Sequence, residues 1–335
     1  MTDDFTTPLL SAPTWQPNRR QAGALIATTL VLIGSAFAQA KRQIIVVVPF
    51  PPGGSLDSLA RMVTQKVAEQ SNDFFVVENK PGANGNIGAR AAMQAAPDGR
   101  TLLFGHDALL TVNDALYQKQ PDFDGQGEMK AATALAQSPS ILVVHPDFPP
   151  KSIKEFIDFG KQNEIQYASG GAGSAGHLTM EYFGMATGLK LRHIPYRGGA
   201  PAMNDLIAGH VPAAFVAIGG AIGHVKSGKL RALAVSTAAR VSEAPDTPTV
   251  AESGYPGFEF AEMYFVFVNV KTPTEIVADL GKQVQAALDD PGVQAKIRQL
   301  GMEPVAMPAE AATAWLRSAR ETKTKLVADI GVKPQ

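Results

Sequence analysis

The sequence predicts an α/β fold of two lobes, each built on a mixed, mainly parallel sheet flanked by helices. Three observations carry that expectation. Short β-branched runs alternate with amphipathic helical runs from Gln43 onward, the order that lays helices on the faces of a parallel sheet. A second such series opens near Thr133, after the first has closed. Three strand-to-helix junctions are rich in glycine, and such junctions lie at the carboxyl ends of parallel strands, where α/β sheets bind ligands.

In the first series, QIIVVVPF reads as a buried strand: short, β-branched and ended by proline. Leu56, Leu59, Ala60, Val63 and Val67 then recur at helical spacing on one face. DFFVVENK is a second strand, PGANGNIGARAAMQAAPDG a Gly-rich turn and Ala-rich helix, and RTLLFGHD a third strand. This βαβαβ run implies parallel pairing. In the second series, TALAQSPSILVVHPDF is strand-like, KSIKEFIDFGKQ an amphipathic helix, IQYASG a strand, GAGSAG a loop and HLTMEYFGMATG a helix stopped by Gly188. KLRHIPY, VPAAFVAI and KLRALAVS are further strands, with the short helix AMNDLIAGH after the first. These strands are expected to form a sheet of their own. EAPDTPTVAESGYPGFEF reads as a surface crossing and EMYFVFVNV as a strand. Amphipathic helices over Thr274–Leu288 and Ala309–Val327 close the chain.

The N-terminus carries an export signal. Arg19 and Arg20 precede an apolar run, Ala22–Ile33, too short to span a bilayer comfortably. Small residues follow, with A-x-A sites at Ala36-Phe37-Ala38 and Ala38-Gln39-Ala40. This is the layout of a cleaved secretory signal over residues 1–40, cut near Ala38 or Ala40; an uncleaved anchor is the competing reading. The paired arginines lack a full twin-arginine motif. With 30 Lys+Arg against 31 Asp+Glu, the net charge of −1 gives no electrostatic footprint for a nucleic-acid partner. The absence of cysteine excludes disulfides, thiolate metal sites and a Cys nucleophile.

The chemistry is carried by the junctions. They are Phe50-Pro51-Pro52-Gly53-Gly54-Ser55, Gly170–Gly176 ahead of His177, and Arg197-Gly198-Gly199-Ala200. A helix N-terminus leaves N–H groups without partners and carries partial positive charge. Glycines let the backbone approach a ligand. Such loops make anion sites without Lys or Arg. Ser55 and Ser174 also fit as N-caps, and Asp57 fits as a first-turn carboxylate complementing the dipole, in preference to a ligand contact. His106, at the end of the third strand, is placed to donate a hydrogen bond to a carboxylate; His177 opens a helix, and His193 sits within a strand. No histidines stand at H-E-x-x-H or other metal spacing, so neither a metal nor a cofactor is expected. Gly171-x-Gly173-x-x-Gly176 matches a dinucleotide fingerprint literally, but no acidic residue ends the following strand to hold a ribose. An exported hydrolase or isomerase using Ser55 or His177 is an alternative, although neither Ser55 nor Ser174 lies in a G-x-S-x-G elbow and no catalytic residue is assigned. A receptor feeding a signalling partner is another.

At these loops the chain resembles the Bug-type solute-binding receptors of tripartite tricarboxylate transporters. The matching segments include VVVPFPPGGSLDSLARMVTQKVAE, VVENKPGANGNIGARAAMQAAPDGRTLLFG, YASGGAGSAGHLTMEYF and HIPYRGGAPAMNDLIAGHV, in the family's order. The resemblance implies a type II, Venus-flytrap periplasmic binding fold that captures a small carboxylate and presents it to membrane permease subunits. By analogy of topology, residues 41–140 plus 262–335 form one lobe and 141–261 the other, in a monomeric periplasmic protein. It implies that the loops Phe50–Asp57 and Gly170–His177 grip the ligand; with the positions read from the junctions and strand ends, the expected ligand contacts are Phe50, Pro51, Gly53, Gly54, Ser55, Asp57, His106, Gly171, Gly173, Ser174, His177, Gly198, Gly199, Val216 and Ala217. The chain departs from the family in two places. PDFDGQGEMKAAT replaces a Leu-Pro-Tyr-Asp-like segment, and Pro212, Val216 and Ala217 stand where many members carry Asp. The second departure implies a more apolar wall, which Phe50 would extend, and a ligand less polar than a hydroxylated tricarboxylate.

Overall fold

The structure is a computed structural model that describes residues 42–71, 73–116 and 124–331. The leader 1–40, with its cleavage site near Ala38 or Ala40, and the start of PDFDGQGEMKAAT lie outside the described residues. Among the described residues, no helix is long and apolar enough to cross a membrane. The strands and helices belong to the unit Gln43–Gln335.

The first series folds as its periodicity demands. Strand β1 (Gln43–Val48) leads into helix α1 (Ser55–Gln70), then β2 (Phe74–Asn79), α2 (Asn86–Met93) and β3 (Thr101–His106). The three strands pair in parallel in the order β2-β1-β3. Leu56, Leu59, Ala60, Val63 and Val67 are all buried along one face of α1.

Strand β4 (Met129–Val144) has 16 residues, a length of about 50 Å at the usual strand rise. It is followed by α3 (Ile153–Gly160), β5 (Ile165–Ser169), α4 (Ala175–Thr187), β6 (Leu191–Pro195), α5 (Gly199–Ile207), β7 (Ala213–Ala217), α6 (Ile218–Lys226) and β8 (Arg231–Val235). Strand β9 (Ala261–Asn269), α7 (Thr274–Leu288), α8 (Pro291–Gln299), β10 (Glu303–Pro308) and α9 (Ala309–Asp329) complete the chain. Met129–Pro139 of β4 runs antiparallel to β9, and Ser140–Val144 runs antiparallel to β7 and β8. The change of partner falls at Pro139, which has no N–H to give a ladder. The second series pairs among its own strands, β6, β5 and β7 running parallel to one another, and is linked to the first series through the one long strand β4.

Alternation along the strands divides the core. Val46, Val48, Leu102, Val266 and Val268 face α1 and α7, whereas Val47, Leu103, Phe265 and Phe267 face α2 and α9. Further along β4, Leu142 and Val144 pack with Phe156, Tyr167 and Phe183, while Ile141 and Val143 pack with Leu206 and Ile218. Helix α9 serves both halves: Leu316 joins the cluster of Phe265, and Leu326 and Val327 join that of Tyr167.

Helices α6 and α8 and strand β10 have no counterpart in the sequence reading. Gly219, Gly220 and Gly223 give α6 poor helix propensity. Gly219 is required nonetheless, because a Cβ there would lie 2.3 Å from the Leu300 carbonyl oxygen. Helix α8 did carry a local signal: Asp290 accepts from the Gly292 and Val293 N–H groups, with Pro291 at the first helical position.

Candidate functional site

The loop between β1 and α1 is held by Asp57 from behind. Gly53 adopts φ +84°, and its N–H donates to Asp57 Oδ2 at 2.9 Å. Arg61 Nε donates to the same oxygen at 3.1 Å. Asn79 Nδ2 donates to Asp57 Oδ1 at 2.9 Å and to the Phe50 carbonyl at 3.0 Å, tying β2 to both ends of the loop. Burial pushes the Asp57 carboxyl up, but hydrogen bonds from Arg61, the Gly53 N–H and Asn79 outweigh it and hold the group at about 2. The cap of α1 is Gly54, with no side chain bonded to the first turn, so Ser55 is not the N-cap. Pro51, Gly53, Gly54 and Ser55 are exposed, while Asp57 is buried.

The loop between β5 and α4 repeats the device with different chemistry. Gly173 adopts φ +76°, and its N–H donates to His177 Nδ1 at 2.9 Å. In both loops, then, a glycine with positive φ gives its N–H to the side chain four residues on. His177 is stacked on His193 with ring centroids 4.0 Å apart, and His193 on Tyr167 at 5.0 Å. Burial, followed by the neighbouring His193, lowers the His177 imidazole to about 4, so it is a neutral acceptor at Nδ1. His193 Nε2 lies 2.6 Å from Ser169 Oγ, which accepts the Gly171 N–H at 3.1 Å. Ser174 does cap α4, accepting from the His177 N–H.

These bonds change the role read for the glycines. The N–H groups of Gly53, Gly171 and Gly173 are consumed within the loops. At α4 the N–H groups of Ser174 and His177 are bonded too, to the Gly171 carbonyl and to Ser174 Oγ, which leaves those of Ala175 and Gly176 in the first turn as donors for an anion. Gly198 caps α5 without a side-chain bond, and Gly199 abuts the second loop: a Cβ on Gly170 would lie 3.2 Å from the Gly199 nitrogen. Val216 is partly buried and Ala217 exposed, at the end of β7 opposite Ile141 and Ser140.

A small cavity of about 40 Å³, open to solvent on one side, lies between the end of β3 and the start of α4. Of the residues expected from sequence, His106, Gly173 and Ser174 line it. Phe50 joins through His106, its ring centroid 5.1 Å from the imidazole. Asp57 and His177 brace the loops from behind, and the remaining expected residues, Val216 and Ala217 included, are not among its lining groups. Sequence reasoning missed Asp107, Phe260, Glu262 and Lys323, which are. Lys323 Nζ, on α9, donates to Asp107 Oδ2 at 2.6 Å and to the Ala261 carbonyl at 3.0 Å, and lies 4.8 Å from the Phe260 ring centroid. Asp107 Oδ1 accepts the Met263 N–H at 3.0 Å. No signal local to either residue announces this buried pair. Among the described residues, no cluster of three acidic or histidine side chains is placed to hold a metal ion.

The sequence profile described as "Tripartite tricarboxylate transporter family receptor" matches residues 59–332. The chain belongs to this receptor family. It is 33% identical over 316 residues to Protein BugT of Bordetella pertussis (strain Tohama I), covering 91% of this chain and 97% of BugT. The solved structure of periplasmic binding protein BugD is 35% identical with a TM-score of 0.73, covering 88% of this chain and all of that one (100%). That of R. palustris Rpa4515 with adipate is 31% identical with a TM-score of 0.77, covering 88% and 99%. The family and its structural neighbours are solute-binding proteins, so this member of the tripartite tricarboxylate transporter receptors is a binding protein and not an enzyme. The periplasmic binding fold of these neighbours supports a periplasmic location.

Proposed function

We propose that this receptor captures a small organic carboxylate between two lobes, residues 41–140 plus 262–335 and residues 141–261, and hands it to a tripartite transporter's membrane permease. The observation that carries the reading is the start of α4, where Gly173, Ser174 and Ala175 line a cavity shared with His106 from the other half. A helix N-terminus offers unpaired N–H donors and partial positive charge, which suits a carboxylate. The similarity to Rpa4515, described with adipate, supports the same ligand class. Strand β4 is the natural hinge element, since it changes partner at Pro139 between the halves. The leader is proposed to be cleaved near Ala38 or Ala40 and the mature protein to act as a monomer.

The test is a thermal-shift screen of the mature chain against a panel of carboxylates. A ligand at 100 times its Kd adds about 2.7 kcal/mol to folded stability. Stabilisation by sugars or cations, with none from any carboxylate, overturns the proposal.

A further inference from the structure

We infer that the cavity selects a monocarboxylate bearing an ammonium group and disfavours a simple dicarboxylate; the inference rests on the carboxylate-receptor reading and specifies its ligand. His106 is the first sign. It is 2% exposed, lines the cavity, and neither ring nitrogen has a hydrogen-bond partner among the described residues. Buried polar side chains in native proteins are almost always partnered, so two unmet ring nitrogens at a cavity wall mark a place for a ligand atom. Phe50 packs against the imidazole and limits how the ring can turn.

The neighbour across the gap is Glu262. One of its oxygens, Oε2, accepts from the Tyr264 hydroxyl at 2.8 Å. The other, Oε1, stands 3.6 Å from His106 Nδ1, too far for a direct hydrogen bond. An ionised carboxylate is acceptor-only, so Oε1 calls for a donor. Lys323 does not supply it, because its ammonium is engaged by Asp107 and the Ala261 carbonyl. Counting the charged groups of the lining gives Asp107 and Glu262 against Lys323, two negative and one positive, a net of −1. The cavity is thus polarised. The start of α4 offers N–H donors and positive potential at one end; at the other, Glu262 offers an acceptor and negative charge, and His106 one donor and one acceptor nitrogen. A zwitterion matches both ends, with its carboxylate on the α4 N-terminus and its ammonium on Glu262 Oε1. A second carboxylate in place of the ammonium would meet Glu262 as a like charge in a partly desolvated site.

The experiment is calorimetric titration of the mature chain with matched pairs in which an ammonium replaces one carboxylate on the same carbon chain. The pairs are glycine and malonate, β-alanine and succinate, γ-aminobutyrate and glutarate, and δ-aminovalerate and adipate. In the best-binding pair the amino acid is expected to bind at least about tenfold tighter, the scale of one like-charge contact exchanged for an opposite-charge one. Glu262→Gln keeps the shape and an acceptor for Tyr264 while removing the charge, and it should shrink that preference by about tenfold. His106→Gln should weaken the amino acid without restoring the dicarboxylate. Equal or tighter binding of the dicarboxylates by wild-type protein overturns this inference and leaves the carboxylate-receptor reading standing. Failure of both members of every pair, with binding of a ligand lacking a carboxylate, overturns that reading and this inference with it. The wild-type ranking decides the matter even where a variant fails to fold.

Discussion

Replacing Asp57 by Asn removes one charge and one acceptor from the side chain that fixes the first loop. Asp57 accepts from the Gly53 N–H, Arg61 and Asn79, and Asn79 in turn holds the Phe50 carbonyl. The carboxyl is held at about 2 against an ordinary 3.8, a difference of about 1.8 units. At 1.36 kcal/mol per unit this links roughly 2–3 kcal/mol of folding stability to the ionised form. Arg61 is half exposed, so part of its share is screened, and about 2 kcal/mol is the expected loss. For a domain of this size, with about 2.1 cal/mol/K of unfolding entropy per residue, that lowers Tm by roughly 3 °C. The sign follows from a depressed acid: the contribution is fully present above pH 3.8 and disappears as pH falls through about 2. Wild-type and Asp57→Asn melting curves should therefore be well separated at neutral pH and converge in strong acid. The variant should also bind ligand more weakly, because Phe50, the wall against His106, loses its anchor. Melting of the variant within about 1 °C of wild type at neutral pH would refute the bracing role given to Asp57.

Other outcomes are expected from the same geometry. His177 is held at about 4 in the fold against 6.5 unfolded, so its neutral form contributes stability that is complete above pH 6.5 and declines as pH falls toward 4. The drop is of order 3 kcal/mol, and thermal melts across that window should show a shallower slope for His177→Asn; an unchanged slope argues against the buried neutral pair. Gly173→Ala combines positive φ with a Cβ 2.5 Å from Leu116 Cδ1 and should cost about 1–3 kcal/mol in urea unfolding. Gly54→Ala, at φ −75° with its nearest neighbour at 3.7 Å, should be within about 0.5 kcal/mol of wild type in the same assay. Lys323→Met strands the Asp107 carboxylate in the interior and should lose about 3–5 kcal/mol, whereas a loss under about 1 kcal/mol would mean that water reaches Asp107.

Whatever depends on neighbours along the chain is legible before folding. Strand and helix periods placed β1, α1, β3, α4 and α7, because burial of one face imposes a spacing that can be read directly. The sequence also located the three Gly-rich junctions and the helix-start position of Asp57. Helix α6 escaped because its three glycines lower its propensity, and one of them, Gly219, answers to a carbonyl on Leu300, a contact no local propensity encodes. Which N–H groups remain for a ligand depends on packing. The glycines looked like donors until Asp57 and His177 were seen to take their hydrogens. Packing alone brought Lys323 to Asp107, 216 residues away along the chain, and set Glu262 beside His106. An ion pair across the fold leaves no periodic trace, since a charged residue on an amphipathic helix reads as a solvated face until packing shows what covers it.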